Sequence, residues 1–186
     1  MSHNRSLPED SERFERMLVR NTDLIEDGLW ATEVDYVFAL ADGYCDTIWW
    51  TAPKQMEPGG TLLLHLREPS EEVPGDWSAI ADSTSGHLAP NLRRARLLAE
   101  LYGGTVFAAA RIGSIPDEVE PGRGDQSHSV LLNLAHVFEN PLSVERLRDE
   151  AGITIQGGLF TRLEEEGFRA VREALARDNE LPEFIG

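Results

Sequence analysis

Cysteine is nearly missing from this chain: Cys45 is the only one in 186 residues, so neither an internal disulfide nor a cysteine-built zinc site can hold the fold together. Stability must come from packing. Lysine is as scarce, because Lys54 is the only one among 17 basic residues and the rest are arginines. Long apolar runs are also missing, which excludes a transmembrane helix of roughly 20 apolar residues. The polar opening Met1-Ser2-His3-Asn4-Arg5 lacks the apolar stretch of a secretory signal, and a cytoplasmic location is expected.

Positive charge is in short supply: 33 acids stand against 17 bases, a formal net charge of -16. An ordinary nucleic-acid binder neutralises phosphates with basic residues, so nonspecific affinity for DNA or RNA is not expected. An acidic chain with almost no lysine has a halophile-like balance, similar to proteins of salt-accumulating or GC-rich microbes. In molar salt the Debye length shrinks to about 3 Å and such charge is screened. The five histidines, His3, His65, His87, His128 and His136, include no pair at metal-ligand spacing on a helix. No phosphate-cradling glycine loop precedes a helix. No metal, cofactor or catalytic group is therefore expected. Gly122-Arg123-Gly124-Asp125 contains an Arg-Gly-Asp triplet, read here as a surface loop.

What the sequence does hold is a succession of short apolar runs. Residues 8–20 place Phe14, Met17 and Leu18 at helical spacing behind Pro8, which predicts an N-terminal amphipathic helix. Tyr36–Ala41 is short and apolar and reads as a buried strand, closed by Asp42-Gly43. Thr47–Thr51 and Thr61–Leu66 are two further strands, separated by the turn signal Glu57-Pro58-Gly59-Gly60. Residues 67–90 are rich in proline, glycine and acid and leave the sheet. A helix over Asn91–Tyr102, with Leu98 and Tyr102 on its apolar face, ends at Gly103-Gly104. Strands follow over Thr105–Ile112 and Ser129–Phe138, the latter closed by Pro141. Ser143 is a candidate cap for a short helix, and Thr161-Arg162-Leu163-Glu164 has the form of a capping box for a last helix that turns Leu163, Phe168, Val171 and Leu175 inward. The tail after Asp178 is expected to fray. The fold class is α+β, with an N-terminal helical extension over 1–33, a domain over 34–180, and an insertion over 67–103.

The adjacent tryptophans carry the functional signal. On a strand, Trp49 and Trp50 point to opposite faces, so only one of them is needed in the core. An exposed indole can stack on a nucleobase for about 1–3 kcal/mol without any net positive charge.

The order of elements, with Ile48-Trp49 in a strand, a Pro-Gly turn into an apolar strand, the cadence Gly104-Thr105-Val106-Phe107-Ala108-Ala109-Ala110-Arg111-Ile112, then Pro141-Leu142-Ser143-Val144-Glu145-Arg146-Leu147 and Gln156-Gly157-Gly158, resembles the EVE type of the PUA-like superfamily, related to YTH and ASCH domains. The resemblance implies a PUA-like small β-barrel flanked by helices, which binds modified DNA or RNA by reading a modified or flipped base in an aromatic pocket. It places Trp49 as one pocket wall, with Thr47 and Thr51 as polar neighbours, Tyr44 closing the pocket, and Trp50, Trp77 and Trp30 as further aromatic candidates. Lys54, Arg67 and Arg111 would meet phosphate, since arginine contacts it bidentately. Two other readings remain open. An ASCH-like ribonuclease would draw on Lys54, Tyr44 and Glu57. A protein-interaction module would dock a partner through the insertion over 67–103.

Overall fold

The computed structural model describes residues 22–24, 30–66, 97–98, 100–118, 128–155 and 161–185. The chain divides into two compact units, Met1–Tyr36 with Arg67–Gly103, and Val37–Leu66 with Gly104–Gly186. In the first unit β1 (Thr22–Leu24) and β2 (Trp30–Thr32) form an antiparallel ribbon in which Thr22 faces Thr32 and Leu24 faces Trp30. Apart from Glu33, the described part of the expected helical extension is thus strand, and the helix expected over 8–20 lies outside the described residues. Residues 97–98 and 100–102 are helical, with Leu98 buried and Leu97 and Leu101 exposed, as the apolar face read from the sequence requires.

The run expected to be a strand at Tyr36–Ala41 is instead the end of α1 (Glu33–Ala41). Its buried residues Val34, Val37 and Leu40 recur every third position, a helical period concealed by the apolar residues between them. Asp35 sits in the first turn, where the helix dipole favours acids. The helix ends in a Schellman motif: Tyr44 N–H donates to the Ala39 carbonyl at 2.8 Å, Gly43 N–H to that of Leu40 at 3.3 Å, and Gly43 takes the left-handed φ of 72° that only glycine adopts without strain.

The second unit is built on an antiparallel sheet that curls into a half-barrel. Its strands are β3 (Ile48–Ala52), β4 (Thr61–Leu66), β5 (Thr105–Ile112), the short β6 (Asp117–Glu118) and the long β7 (His128–Ser143). Their order is β3-β7-β5-β4, with β6 paired to β7. Long β7 pairs with β3 through its first residues and with β5 through the rest. The β5 to β7 register jumps twice, between Val106 and Ala108 and between Arg111 and Ile112. Such bulges bend a strand and increase its twist, and here they let one strand serve both halves of the curl. Central β5 is buried on both faces, and Ala108, Ala109 and Ala110 are fully inaccessible. Residues 67–103 leave from Leu66 and return at Gly104, whose N–H donates to the Leu66 carbonyl at 2.8 Å.

One face of this sheet is covered by α2 (Val144–Ala151), α3 (Glu165–Ala176) and a 3-10 turn, Glu183–Ile185. Val106, Ala109, Phe138 and Leu142 of the strands pack there against Leu147, Val171, Ala174, Leu175 and Ile185. Ser143 caps α2 as expected, its Oγ accepting from Arg146 N–H at 3.2 Å. Leu163 and Phe168 pack at the margin of this core, and Val171 and Leu175 within it, which agrees with the inward face read from the sequence.

Three expectations fail here. β7 does not close at Pro141 but runs on to Ser143. Residues 138–141 fall in the register jump between Val106 and Ala108, the kind of bulge at which a strand tolerates proline. The capping box does not form, because the N-cap of α3 is Glu164, with no side-chain cap bond. Nor does the tail fray: Ile185 is buried in the core, and Thr61 Oγ1 donates to the Phe184 carbonyl at 2.9 Å.

Candidate functional site

The site is the part of β3 that the helices leave open. Ile48 and Ala52 are buried and stand on the same side as Trp50, because strand side chains alternate. Trp49 and Thr51 stand on the other side, with Thr47 just before the strand at the same spacing. Trp49 is 58% exposed, a large indole area left in water on a rigid strand. Thr47 is exposed and Thr51 half-buried. The sequence-derived set is therefore divided: Trp50 is half-buried on the opposite face and shares no surface with Trp49.

Register extends this face across the sheet. Trp49 lies opposite Leu131 of β7 and Thr51 opposite Ser129, and directly opposed residues share a face. Ser129 in turn faces Asp117 of β6. Further along β7, Leu134 is 46% exposed and paired with exposed Arg111 of β5. Two strand spacings put Arg111 about 10 Å across the sheet from β3. Leu131, Ser129, Leu134 and Asp117 were missed in the sequence because no pattern states which residue faces which across a ladder. Only their strand membership was readable.

The backbone of β3 has its own geometry. Leu131 N–H donates to Ser114 Oγ at 2.9 Å, and the Leu131 carbonyl accepts from Gly113 N–H at 2.7 Å. Both groups thus point away from β3. Trp49–Leu131 is consequently a non-hydrogen-bonded pair, while Ile48, Trp50 and Ala52 exchange bonds with β7. The N–H and C=O of Trp49 and Thr51 point to the outer edge of β3, where no described residue pairs with them.

Around the strand, Tyr44 is 84% exposed in the turn after α1, and Lys54 and Glu57 are exposed in the turn after β3. Cys45 is half-buried beside them, and burial together with the neighbouring Asp46 carboxylate pushes its thiol pKa up. The thiol is thereby held protonated and weakly nucleophilic at neutral pH. Trp30 is a β2 residue of the other compact unit. Trp77 and Arg67 lie outside the described residues. Among the described residues no three His, Cys, Asp or Glu side chains gather as a metal site would need, and no helix is long and apolar enough to cross a membrane.

The chain matches no known protein-family model, no curated protein and no solved structure.

Proposed function

We propose that the protein is a nucleic-acid-binding module in which the Trp49 face of β3 stacks on a modified or flipped base. The observation that supports this most directly is the exposed Trp49 indole on an ordered strand, with Thr47 and Thr51 on the same side. Stacking supplies about 1–3 kcal/mol per base, set against a few kcal/mol for extruding a paired base. The hydroxyls of Thr47 and Thr51 donate and accept toward a base edge, and Arg111 on the same face offers a bidentate phosphate contact. An EVE-type, PUA-like identity is consistent with this reading.

The test is titration of single-stranded DNA and RNA oligonucleotides, plain and base-modified, followed by tryptophan fluorescence. Trp49→Ala should weaken binding by the equivalent of about 1–3 kcal/mol, while Trp49→Tyr should retain most of it. Among the described residues few cations line the face, so the log-log salt dependence should be shallow compared with about -0.9 per duplex phosphate neutralised. A steep slope, or no binding to any oligonucleotide, would defeat the proposal.

A second reading rests on exposed Leu134 and Ile115. Together with Trp49 they are apolar side chains of the kind that a protein partner buries. Leu134→Asp separates the two, because it should abolish docking of a protein while leaving stacking at Trp49 intact.

A further inference from the structure

We propose that the free edge of β3 pairs with β3 of a second copy of this chain, and that the second copy's Trp49 supplies the other aromatic wall of the site. The second part of this inference rests on the base-reading function proposed above; the first does not.

Among the described residues the edge is open in a specific pattern. Trp49 and Thr51 turn both their N–H and C=O outward, and no described residue pairs with them. Natural edge strands are usually blunted by charge or proline, yet β3 reads Ile48-Trp49-Trp50-Thr51-Ala52 with neither. An antiparallel strand satisfies all four outward groups only if its own outward residues fall opposite them. A two-fold axis at Trp50 meets that condition, because it sets Trp49 against Thr51 of the second copy, and Thr51 against Trp49.

The same two-fold pairing brings the end of β3 that follows exposed Asp46 to the end of the second copy's β3 that precedes exposed Lys54, twice over. Lys54 is the only lysine in the chain. Trp50 falls opposite its own counterpart at a non-hydrogen-bonded position, where cross-strand aromatic pairs approach closely. Shifting the axis by one residue to either side sets Thr51 opposite Thr47, or Trp49 opposite Pro53, residues outside the strand, and Pro53 has no N–H to offer. Charge complementarity at the strand ends thus argues for a second copy as the partner, and the outward backbone groups set the register.

The consequence falls on Trp49. In this register the two Trp49 residues are diagonal neighbours on one face, about 7–8 Å apart. Two stacking contacts of about 3.5–4 Å each span the same distance, so the paired indoles can hold one flat ring between them. Among the described residues a single copy offers one wall; two copies offer both.

Sedimentation of the full chain at concentrations up to about 1 mM, in about 0.15 M and about 1 M salt, tests the pairing directly. A net charge of -16 on each copy opposes association, so the dimer should strengthen as the Debye length falls from about 8 to about 3 Å. Thr51→Pro removes an outward N–H without disturbing the ladder to β7, a position where edge strands tolerate proline. It should give a monomer with an unchanged melting temperature. Lys54→Asp should weaken the dimer about 10–100-fold, and adding Asp46→Lys should restore it. A chain that stays monomeric throughout overturns the inference, as does a dimer indifferent to both Thr51→Pro and the charge swap. Oligonucleotide binding is scored separately. A dimer that binds none keeps the edge pairing and removes the base-reading role, whereas a monomer that binds through Trp49 does the reverse.

Discussion

Asn179 closes a two-bond ring on the backbone of Asn140: Asn140 N–H donates to Asn179 Oδ1 at 2.9 Å, and Asn179 Nδ2 donates to the Asn140 carbonyl at 2.9 Å. The side-chain amide takes the place of a neighbouring strand. It does so where β5 opposes residues 138–141 with Phe107 alone, so backbone groups that β5 leaves unpaired are satisfied by the chain leaving α3. Asn179 Nδ2 also donates to the Leu175 carbonyl at 3.0 Å, and Asn140 Nδ2 to the Asp178 carbonyl at 2.7 Å. The bulge in β7 and the end of α3 are thus one clasp.

Asn179→Ala deletes three of these bonds. Each contributes about 0.5–1.5 kcal/mol net, and water reaches the site, so a loss of about 1–2 kcal/mol is expected. Asn179→Asp keeps an acceptor for Asn140 N–H but replaces the amide donor with a carboxylate facing carbonyls, and should cost at least as much. Urea unfolding measures both. An unchanged midpoint for Asn179→Ala would mean that the clasp adds nothing to stability.

Trp49 and Phe138 should respond oppositely to truncation. Phe138 is 1% exposed in the core beneath α2 and α3, and Phe138→Ala should cost about 3–5 kcal/mol. Trp49 is mostly in water, and Trp49→Ala should stay within about 1 kcal/mol of the parent. Half-buried Trp50, on the other face with Ile48 and Ala52, should fall between them. Denaturant midpoints for the three variants check the order, and a Trp49→Ala loss as large as that of Phe138→Ala would show that the indole belongs to the core.

Strands β3, β4 and β5 could be read from the sequence because their apolar residues are flanked by turn-forming residues that allow little else. The opposition of Trp49 and Trp50 could be read too, since alternation along a strand is local. Tyr36–Ala41 misled because six apolar residues show no period, and the buried Val34 that discloses the helix lies upstream of the run. The order of Pro141 and the ordered tail were beyond reach for another reason. What pardons a proline in β7 is a register jump opposite Phe107, and what holds Ile185 is a core assembled from strands 40 to 120 residues away, roughly the reach over which contact order makes pairing non-local. Leu131 and Leu134 join the site through the same kind of long-range register.

Acid should loosen the packing of α2 on α3 through Glu150. Its carboxylate is held below the usual range chiefly by the hydrogen bond from Arg146, with N–O distances of 2.8 Å to Arg146 and 3.0 Å to Arg177. A carboxyl group whose folded pKa is depressed contributes stability above its unfolded value of about 4.3. That contribution is lost as pH falls through the lower folded value. Arg146 also holds Asp178 at 2.8 Å, which ties α2 to the residues that follow α3. Glu150→Gln should flatten the decline in urea midpoint between about pH 5 and pH 2 while lowering stability at neutral pH. A variant whose acid limb parallels that of the parent would show that other carboxylates set it.

The tail should matter more than its position at the end of α3's sequence suggests. Ile185 is 1% exposed and packs with Leu142, Leu147 and Leu175 in the core beneath the helices, so Ile185→Ala should cost about 2–5 kcal/mol through lost burial and the cavity left behind. The bond from Thr61 Oγ1 to the Phe184 carbonyl fastens the same turn to edge strand β4, and Thr61→Val, which keeps the shape, should cost only about 1 kcal/mol. The ratio separates packing from tethering. Deleting residues 180–186 removes both at once and uncovers one side of Val106 and Phe138, so the shortened chain should unfold at markedly lower urea and expose apolar surface to a fluorescent dye. If Ile185→Ala and the deletion both left the midpoint within about 0.5 kcal/mol of the parent, as surface changes do, the tail would be an ornament on a core complete without it.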